Sequence, residues 1–203
     1  MTHGDSPKPP RVSPPRITAS ATRAGKPPMG AAGSADAYRQ ASFVLGTDID
    51  LLLRGFALEG SIAEASADSR HRSQQAAAGL GLWSRAWLTR LQAMHALEWG
   101  NYVAAMPLVR AATDHQAGGL YVLRDDAREW NAWLAQGGIA LAADEHASEF
   151  RLHAFRAAEV LASHDILGPV YRASTDLSLS HFGSTVLLAG NDSDPARVLM
   201  TFG

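Results

Sequence analysis

The sequence predicts an all-α fold, a bundle of five or six helices preceded by a disordered, proline-rich N-terminal tail. Apolar residues recur at three- and four-residue steps from about residue 37, and no strand-like alternation persists. Seven of the ten prolines lie within residues 1–35. The 203 residues are 46% hydrophobic and 19% charged, which suits one globular domain with its own core. We therefore expect a tail over residues 1–35 and a single helical-bundle domain over residues 36–203.

The tail is basic as well as rich in proline. It buries too little apolar surface to offset the entropy that would be lost on ordering, so we expect a disordered leader. A functional alternative is a weakly basic arm for RNA or another partner, and the paired prolines also favour a polyproline II segment for a docking domain. The cations concerned are Lys8, Arg11, Arg16, Arg23 and Lys26.

Two helical stretches are predicted in the first half of the bundle. Residues 37–65 form either one amphipathic helix or a broken pair, because their apolar steps are mixed. Residues 73–100 form a longer helix that ends at Gly100, a residue typical of helix C-termini. One apolar stripe runs along this second helix and consists of Leu80, Trp83, Trp87, Leu91, Met94 and Leu97.

The second half of the bundle begins at Asn101, which offers an N-cap for a helix over residues 102–123. Pro107 lies inside this helix and predicts either a kink or a late start. Residues 193–202 begin like a helix and predict a short docked turn or a truncated reading frame. Between these segments we predict further helices at residues 125–138, 144–163 and 166–188.

The stretch YRASTDLSLSHFGSTV, residues 171–186, is unusual because hydroxyl side chains surround one histidine. On a continuous helix, Ser174, Ser178 and His181 share the inward-facing side, whereas Arg172 and Asp176 face solvent. A buried polar group without a partner costs about 1–3 kcal/mol, so the imidazole needs a polar neighbour.

The segment LVRAATD is the best source of that neighbour. Arg110 and Asp114 are four residues apart and share a helix face amid small residues. We predict that Arg110 or Asp114 comes within hydrogen-bonding reach of His181, Ser178 or Ser174. The cluster is then either a closed structural network or the wall of a binding pocket, and a third interpretation is that the two segments never meet.

Two of these stretches resemble a known group of proteins. YVAAMPLVRAATDHQAGGLYVL is similar to a small-residue helix that carries Arg, three residues and then an acid, in uncharacterised bacterial all-helical proteins grouped with HEPN-like bundles. YRASTDLSLSHFGSTV is similar to their later helix, with Tyr, Ser and then His. The resemblance covers about residues 80–190 and implies a polar signature of Arg110, Asp114, Ser178 and His181, with Asp114 standing where the pattern more often has Glu.

Some HEPN proteins are ribonucleases, so the resemblance also implies an alternative function as a metal-independent ribonuclease or toxin-type effector. Their motif is Arg, four to six residues, then His on a late helix. The spacing occurs at Arg90 to His95 and at Arg110 to His115, without the polar residue that commonly follows the Arg and not on the last long helix. We therefore favour a binding or interaction module over an enzyme.

Metal and cofactor sites are not predicted. Of Glu145, His146, Glu149 and His153, the last three could share a helix face. A ferritin-like site needs a second Glu-x-x-His, so we expect a solvated charged face. Cysteine is absent, which excludes disulfides and thiolate ligands. The sequence has neither a glycine-rich phosphate loop nor a G-x-S-x-G elbow.

Charge and hydropathy restrict the classes of partner that this chain is expected to bind. A net charge of −2 gives the whole chain no general attraction for nucleic acid or anionic lipid. No window of about 18 apolar residues predicts a membrane span, so we expect a cytoplasmic protein. The partner is expected to be a protein or a small molecule, with RNA as a weaker alternative. The tryptophan pairs at residues 83/87 and 130/133 favour core or helix contacts, including those of a homo-oligomer.

Overall fold

The computed structural model describes residues 17, 20–66, 73–124, 157–179, 189–190 and 192–199. This part of the chain is all-α, as predicted, and contains no strand. The predicted helix at residues 125–138 and most of that at 144–163 lie outside the described residues. The described helices are α1 (Ala35–Val44), α2 (Gly46–Ala65), α3 (Gln74–Glu98), α4 (Tyr102–Arg124), α5 (Ala157–Leu161) and α6 (Leu167–Ser178).

The first predicted stretch is a broken pair of helices. The Ser34 hydroxyl accepts the amides of Asp36 and Ala37 and so caps the start of α1. Leu45 leaves the helical region at φ −108°, ψ 8°, which separates α1 from α2. Of the two interpretations of residues 37–65, the broken pair is therefore confirmed.

Helices α3 and α4 form an antiparallel hairpin around a tight turn. Gly100 has φ +77°, the left-handed conformation that favours glycine after a helix. The Asn101 side chain accepts the Ala104 amide at 3.1 Å and caps α4, as predicted. Pro107 lies inside α4, which already begins at Tyr102, so the expectation of a late start is wrong.

Small side chains line the contact between α3 and α4. Gly118 approaches α3 so closely that an added Cβ would lie 3.3 Å from Leu82 Cδ1. The hairpin is therefore held at short range by van der Waals contact. We call five buried alanines of these two helices the small-residue seam; they are Ala78, Ala86 and Ala93 on α3 and Ala105 and Ala112 on α4.

The main core joins α2 to α3. Phe56 and Trp87 meet edge to face, with ring centroids 5.4 Å apart, and the Trp87 indole donates to the Phe56 carbonyl at 3.4 Å. Ile49 and Met94 complete this cluster. Two members of the predicted stripe on α3 are thus core residues, whereas Leu80 at its start is 37% exposed.

Residues 20–34, which we call the N-terminal strap, form no helix or strand but lie against α3. Glu98 is fully buried; its carboxylate accepts Arg23 Nε and the Ala24 amide, each at 2.7 Å. The Trp99 indole donates to the Gly25 carbonyl at 2.7 Å. The expectation of a disordered tail over residues 1–35 is therefore wrong for residues 20–34. A buried carboxylate needs donors, and the strap supplies them.

Residues 192–199 form a turn and not a helix. The Asp194 side chain accepts the amides of Ala196 and Arg197 at 2.8 and 2.7 Å, an Asx turn that competes with helix initiation. Within the described residues, none of the helices has the length and apolarity that a membrane span requires.

Replacing Glu98 with alanine should lower the free energy of unfolding by about 2–3 kcal/mol, because Arg23 and the Ala24 amide lose their buried acceptor. Urea denaturation followed by circular dichroism measures the loss. The control is Arg39→Ala, which breaks the exposed Arg39–Asp36 pair and should change little. Equal effects of the two substitutions would mean that Glu98 does not anchor the strap.

Candidate functional site

The contact between α4 and α6 joins one member of the predicted polar cluster, Arg110, to a residue outside that cluster, Tyr171. Arg110 Nη2 donates to the Tyr171 hydroxyl at 3.1 Å, and the guanidinium carbon lies 5.0 Å from the Tyr171 ring centroid. Arg110 Nε also faces Asp114 Oδ2 at 3.7 Å. Sequence reasoning missed Tyr171 as the partner of Arg110. The available signal was its position three residues before Ser174, on a neighbouring part of the same helix.

Two hydroxyl groups of α6 form hydrogen bonds within their own helix. Ser174 is buried, and its hydroxyl donates to the Tyr171 carbonyl at 3.1 Å. Thr175 donates to the same carbonyl at 2.7 Å. Ser174 therefore faces inward, as predicted, but its hydrogen bond is local and does not involve Arg110. Side chains of this kind weaken a helix by offering the backbone alternative partners.

Helix α6 ends earlier than predicted. Leu179 is extended at φ −81°, ψ 156°, so the helix expected over residues 166–188 stops at Ser178. The argument that placed His181 on the same face as Ser174 and Ser178 required a continuous helix, and that premise is wrong. His181 itself lies outside the described residues, so its membership of the cluster stays a prediction, as does a binding role for the half-buried Ser178.

Burial shapes the acid–base properties of two neighbouring residues on α4. Burial raises the pKa of Asp114, and the charge of Arg110 partly opposes this effect. Burial also lowers the pKa of His115, and the nearby Arg85 cation lowers it further. His115 thus lies near Arg85 on α3, whereas Arg110 contacts Tyr171 on α6.

The other spacing match to the ribonuclease motif is also divided between different partners. Arg90 Nη2 binds both carboxylate oxygens of Glu59, at 2.9 and 2.7 Å. His95 Nε2 lies 2.8 Å from the Thr22 carbonyl of the strap. In neither pair do the Arg and His side chains share a hydrogen-bonding partner in the described part of the chain.

A cavity of about 340 Å³ lies between α2, α3, α4 and α6. Its volume is within the range of small-molecule sites, about 300–1,000 Å³. Its wall is mostly apolar and includes three alanines of the small-residue seam. The lining residues are Leu52, Phe56, Arg90, Ala93, Met94, Leu97, Ala105, Met106, Val109, Ala112, Thr113, Gln116, Leu167 and Val170.

The cavity adjoins the polar cluster. Val109 and Val170 line the cavity, and each directly precedes a member of the Arg110–Tyr171 pair. The functional interpretation of the cluster required a pocket beside it, and a pocket is present there. The residues that line it differ from those selected from the sequence, because the walls come from apolar faces of four helices and not from the polar cluster.

Polar lining groups are few. Thr113 is buried, and its hydroxyl donates to the Val109 carbonyl at 2.8 Å. Gln116 contributes an amide. Arg90 supplies a guanidinium whose charge is balanced by Glu59, while the Trp83 indole also donates to Glu59 at 2.6 Å.

No group of three or more potential metal ligands occurs within the described ranges. The possible metal ligands considered from the sequence, within residues 145–153, lie outside these ranges. No protein-family model, curated protein or solved structure matches this chain. The functional argument therefore rests on the geometry of the site itself.

Stability should respond to pH through Asp114. Its pKa in the folded state is raised above 3.8. The stability that the protonated carboxyl contributes is therefore fully present below pH 3.8 and is lost as the pH rises through the folded pKa. Asp114→Asn cannot ionise. The free energy of unfolding of this variant, relative to the unsubstituted protein, should therefore increase between pH 4 and pH 7.

Urea titrations at pH 4, 5, 6 and 7 measure this difference. The exposed Asp176 provides the matched control, since Asp176→Asn removes the same charge from a solvated position on α6. A difference for Asp114→Asn that stays constant across this range, or that falls towards pH 7, would contradict the assignment.

Proposed function

We propose that this protein is a helical binding module whose ligand is a small, largely apolar molecule held in the cavity between α2, α3, α4 and α6. The cavity of about 340 Å³ is the observation that carries the proposal. It lies where the polar cluster was expected to border a pocket, and its apolar wall with a few polar groups is typical of ligand sites.

The cavity is partly open to solvent, so water is the alternative to a ligand in this space. Water could fill the volume, with room for about ten molecules. Few lining groups can bond to that water, so an apolar ligand that displaces it would be favoured.

The polar cluster has a positioning role in this proposal. Arg110 on α4 holds Tyr171 on α6, and this contact sets the wall formed by Val109 and Val170. Asp114, one helical turn further along α4, forms a longer ion pair with the same guanidinium, at 3.7 Å. Ser174, Ser178 and His181 belong to the same proposal as members of the cluster, of which His181 lies outside the described residues.

A HEPN-like relationship and a cytoplasmic location remain parts of the proposal that rest on the sequence. A ribonuclease would need an Arg and a His directed at one phosphate and one 2′-hydroxyl. The separate partners of Arg90 and His95, and of Arg110 and His115, favour binding over catalysis. Self-association also stays a prediction, to which the exposed Phe43 and Val44 at the α1–α2 corner add apolar surface.

The uncharged fluorophore N-phenyl-1-naphthylamine should bind with a saturable increase in fluorescence, because the cavity removes it from water. Ala105 is buried in the cavity wall, so Ala105→Phe should fill the space and weaken binding at least about tenfold. Fluorescence titration measures both affinities.

The matched control is Ala173→Phe, which adds the same ring at an exposed alanine of α6 and should leave binding unchanged. Circular dichroism checks that both variants fold. Absence of saturable binding by the unsubstituted protein, or equal binding by a folded Ala105→Phe protein, would refute the cavity as the ligand site.

The purified protein should leave a mixed RNA substrate intact in the presence of EDTA, since the Arg and His side chains of the two described spacing matches have separate partners. Gel electrophoresis of the RNA measures this. Metal-independent cleavage that disappears in His95→Ala or His115→Ala would reverse the order of the two proposed functions.

A further inference from the structure

The cavity has a polar end and an apolar end. In the antiparallel hairpin, residues at equal distances from the turn lie at the same level, as the contact between Gly118 and Leu82 illustrates. Thr113 and Gln116 of α4 thus lie far from the turn. The Arg90 guanidinium lies at the same end, because its side chain is directed towards the start of α3 and its Nε donates to the Ala86 carbonyl at 3.3 Å. We call Arg90, Thr113 and Gln116 the polar end of the cavity.

The opposite end, nearest the turn, is apolar. Leu97 lies three residues before Gly100, and Ala105 and Met106 lie five and six residues after it. None of these three side chains offers a strong hydrogen-bonding group. A ligand that matches the cavity therefore carries its polar atoms at one end only.

The charge at the polar end is already balanced. Arg90 and Glu59 form a two-oxygen ion pair, with side chains 30% and 22% exposed, and the guanidinium also lies 5.6 Å from the Phe56 ring centroid. A ligand carboxylate beside Arg90 would also lie close to the Glu59 carboxylate. The resulting net negative charge would be poorly solvated, which opposes binding of an anion.

Hydrogen bonding remains available there without a new charge. The contacts of Arg90 to Glu59 and Ala86 use Nη2 and Nε; within the described chain Nη1 makes no hydrogen bond. Thr113 donates its proton to Val109, so its oxygen can still act as an acceptor. The Gln116 amide carries both a donor and an acceptor.

We propose that the cavity selects an uncharged amphiphile, an apolar chain or ring system with one terminal hydroxyl, amide or carbonyl group that lies at the polar end, and that it rejects the corresponding carboxylate. This inference rests on the proposed ligand-binding function. It adds the chemical class of the ligand and assigns Glu59 the role of excluding anions through Arg90.

Isothermal titration calorimetry at pH 7.5 with decan-1-ol and decanoate tests the proposal, because the two probes share a ten-carbon chain and differ at the polar end. The unsubstituted protein should bind the alcohol at least about tenfold more tightly than the carboxylate. Decanoate binding as tight as that of the alcohol, or tighter, would overturn the proposal.

A charge-removing substitution tests the role of Glu59. In Glu59→Gln the side-chain oxygen that accepts from the Trp83 indole is kept while the negative charge is lost. Arg90 should then be able to bind a ligand carboxylate. The preference for decanol over decanoate should shrink by about tenfold or reverse. Asp176→Asn removes an exposed carboxylate elsewhere and should leave the preference unchanged.

The outcomes separate this inference from the proposed function. If neither probe nor N-phenyl-1-naphthylamine binds, the ligand site itself is refuted. If the uncharged fluorophore binds but the unsubstituted protein prefers decanoate, only the selection of an uncharged ligand is refuted. If a folded Glu59→Gln protein retains the full preference for decanol, anion exclusion by Glu59 is refuted even though ligand binding stands. The comparison of probes on the unsubstituted protein needs no variant to fold.

Discussion

The close antiparallel contact between α3 and α4 is the constraint on which the rest of the structure depends. The tight turn at Gly100 and the small side chains along the seam bring the two helices into direct contact. The other described helices then pack on the flanks of this hairpin. Helix α2 places Phe56 against Trp87 on one side, and α6 places Tyr171 against Arg110 on another. Both contacts require the hairpin to present a fixed surface.

The same small side chains account for the cavity. Ala93, Ala105 and Ala112 permit close helix approach, but on the side that faces α2 and α6 they leave volume that the side chains of the described residues do not fill. A larger residue at any of these positions would occupy the cavity or separate the helices. The alanines of the seam therefore have a specific consequence at this site. Packing and ligand space follow from one set of residues.

The features that could be predicted from the sequence are those that local chemistry determines. Gly100 ends a helix because of its left-handed backbone, Asn101 caps the next because its side chain reaches a nearby amide, and the helical period sets the fold class. The early end of α6 was also local, but its hydroxyl groups were assigned to long-range partners and not to their own backbone.

The features that could not be predicted are those that join distant parts of the chain. The strap is fixed by Arg23 and Glu98, which are 75 residues apart, and neither residue signals the other. Tyr171 as the partner of Arg110 depends on how α6 is placed against α4. The cavity is still harder to predict from the sequence, because it is the space that four helices fail to fill. No residue type or spacing encodes such a space directly.

The arginines show how charge is distributed in this protein. Arg23 holds the strap through a buried carboxylate, Arg90 binds Glu59 across α2 and α3, and Arg110 binds Tyr171 across α4 and α6. Each of these cations therefore fixes one element against another. Cations engaged in this way contribute little to an attractive surface for a polyanion, since their charge is matched locally. The chemistry that remains around the cavity is apolar, with hydrogen-bonding groups at one end, and the ligand we propose matches this combination.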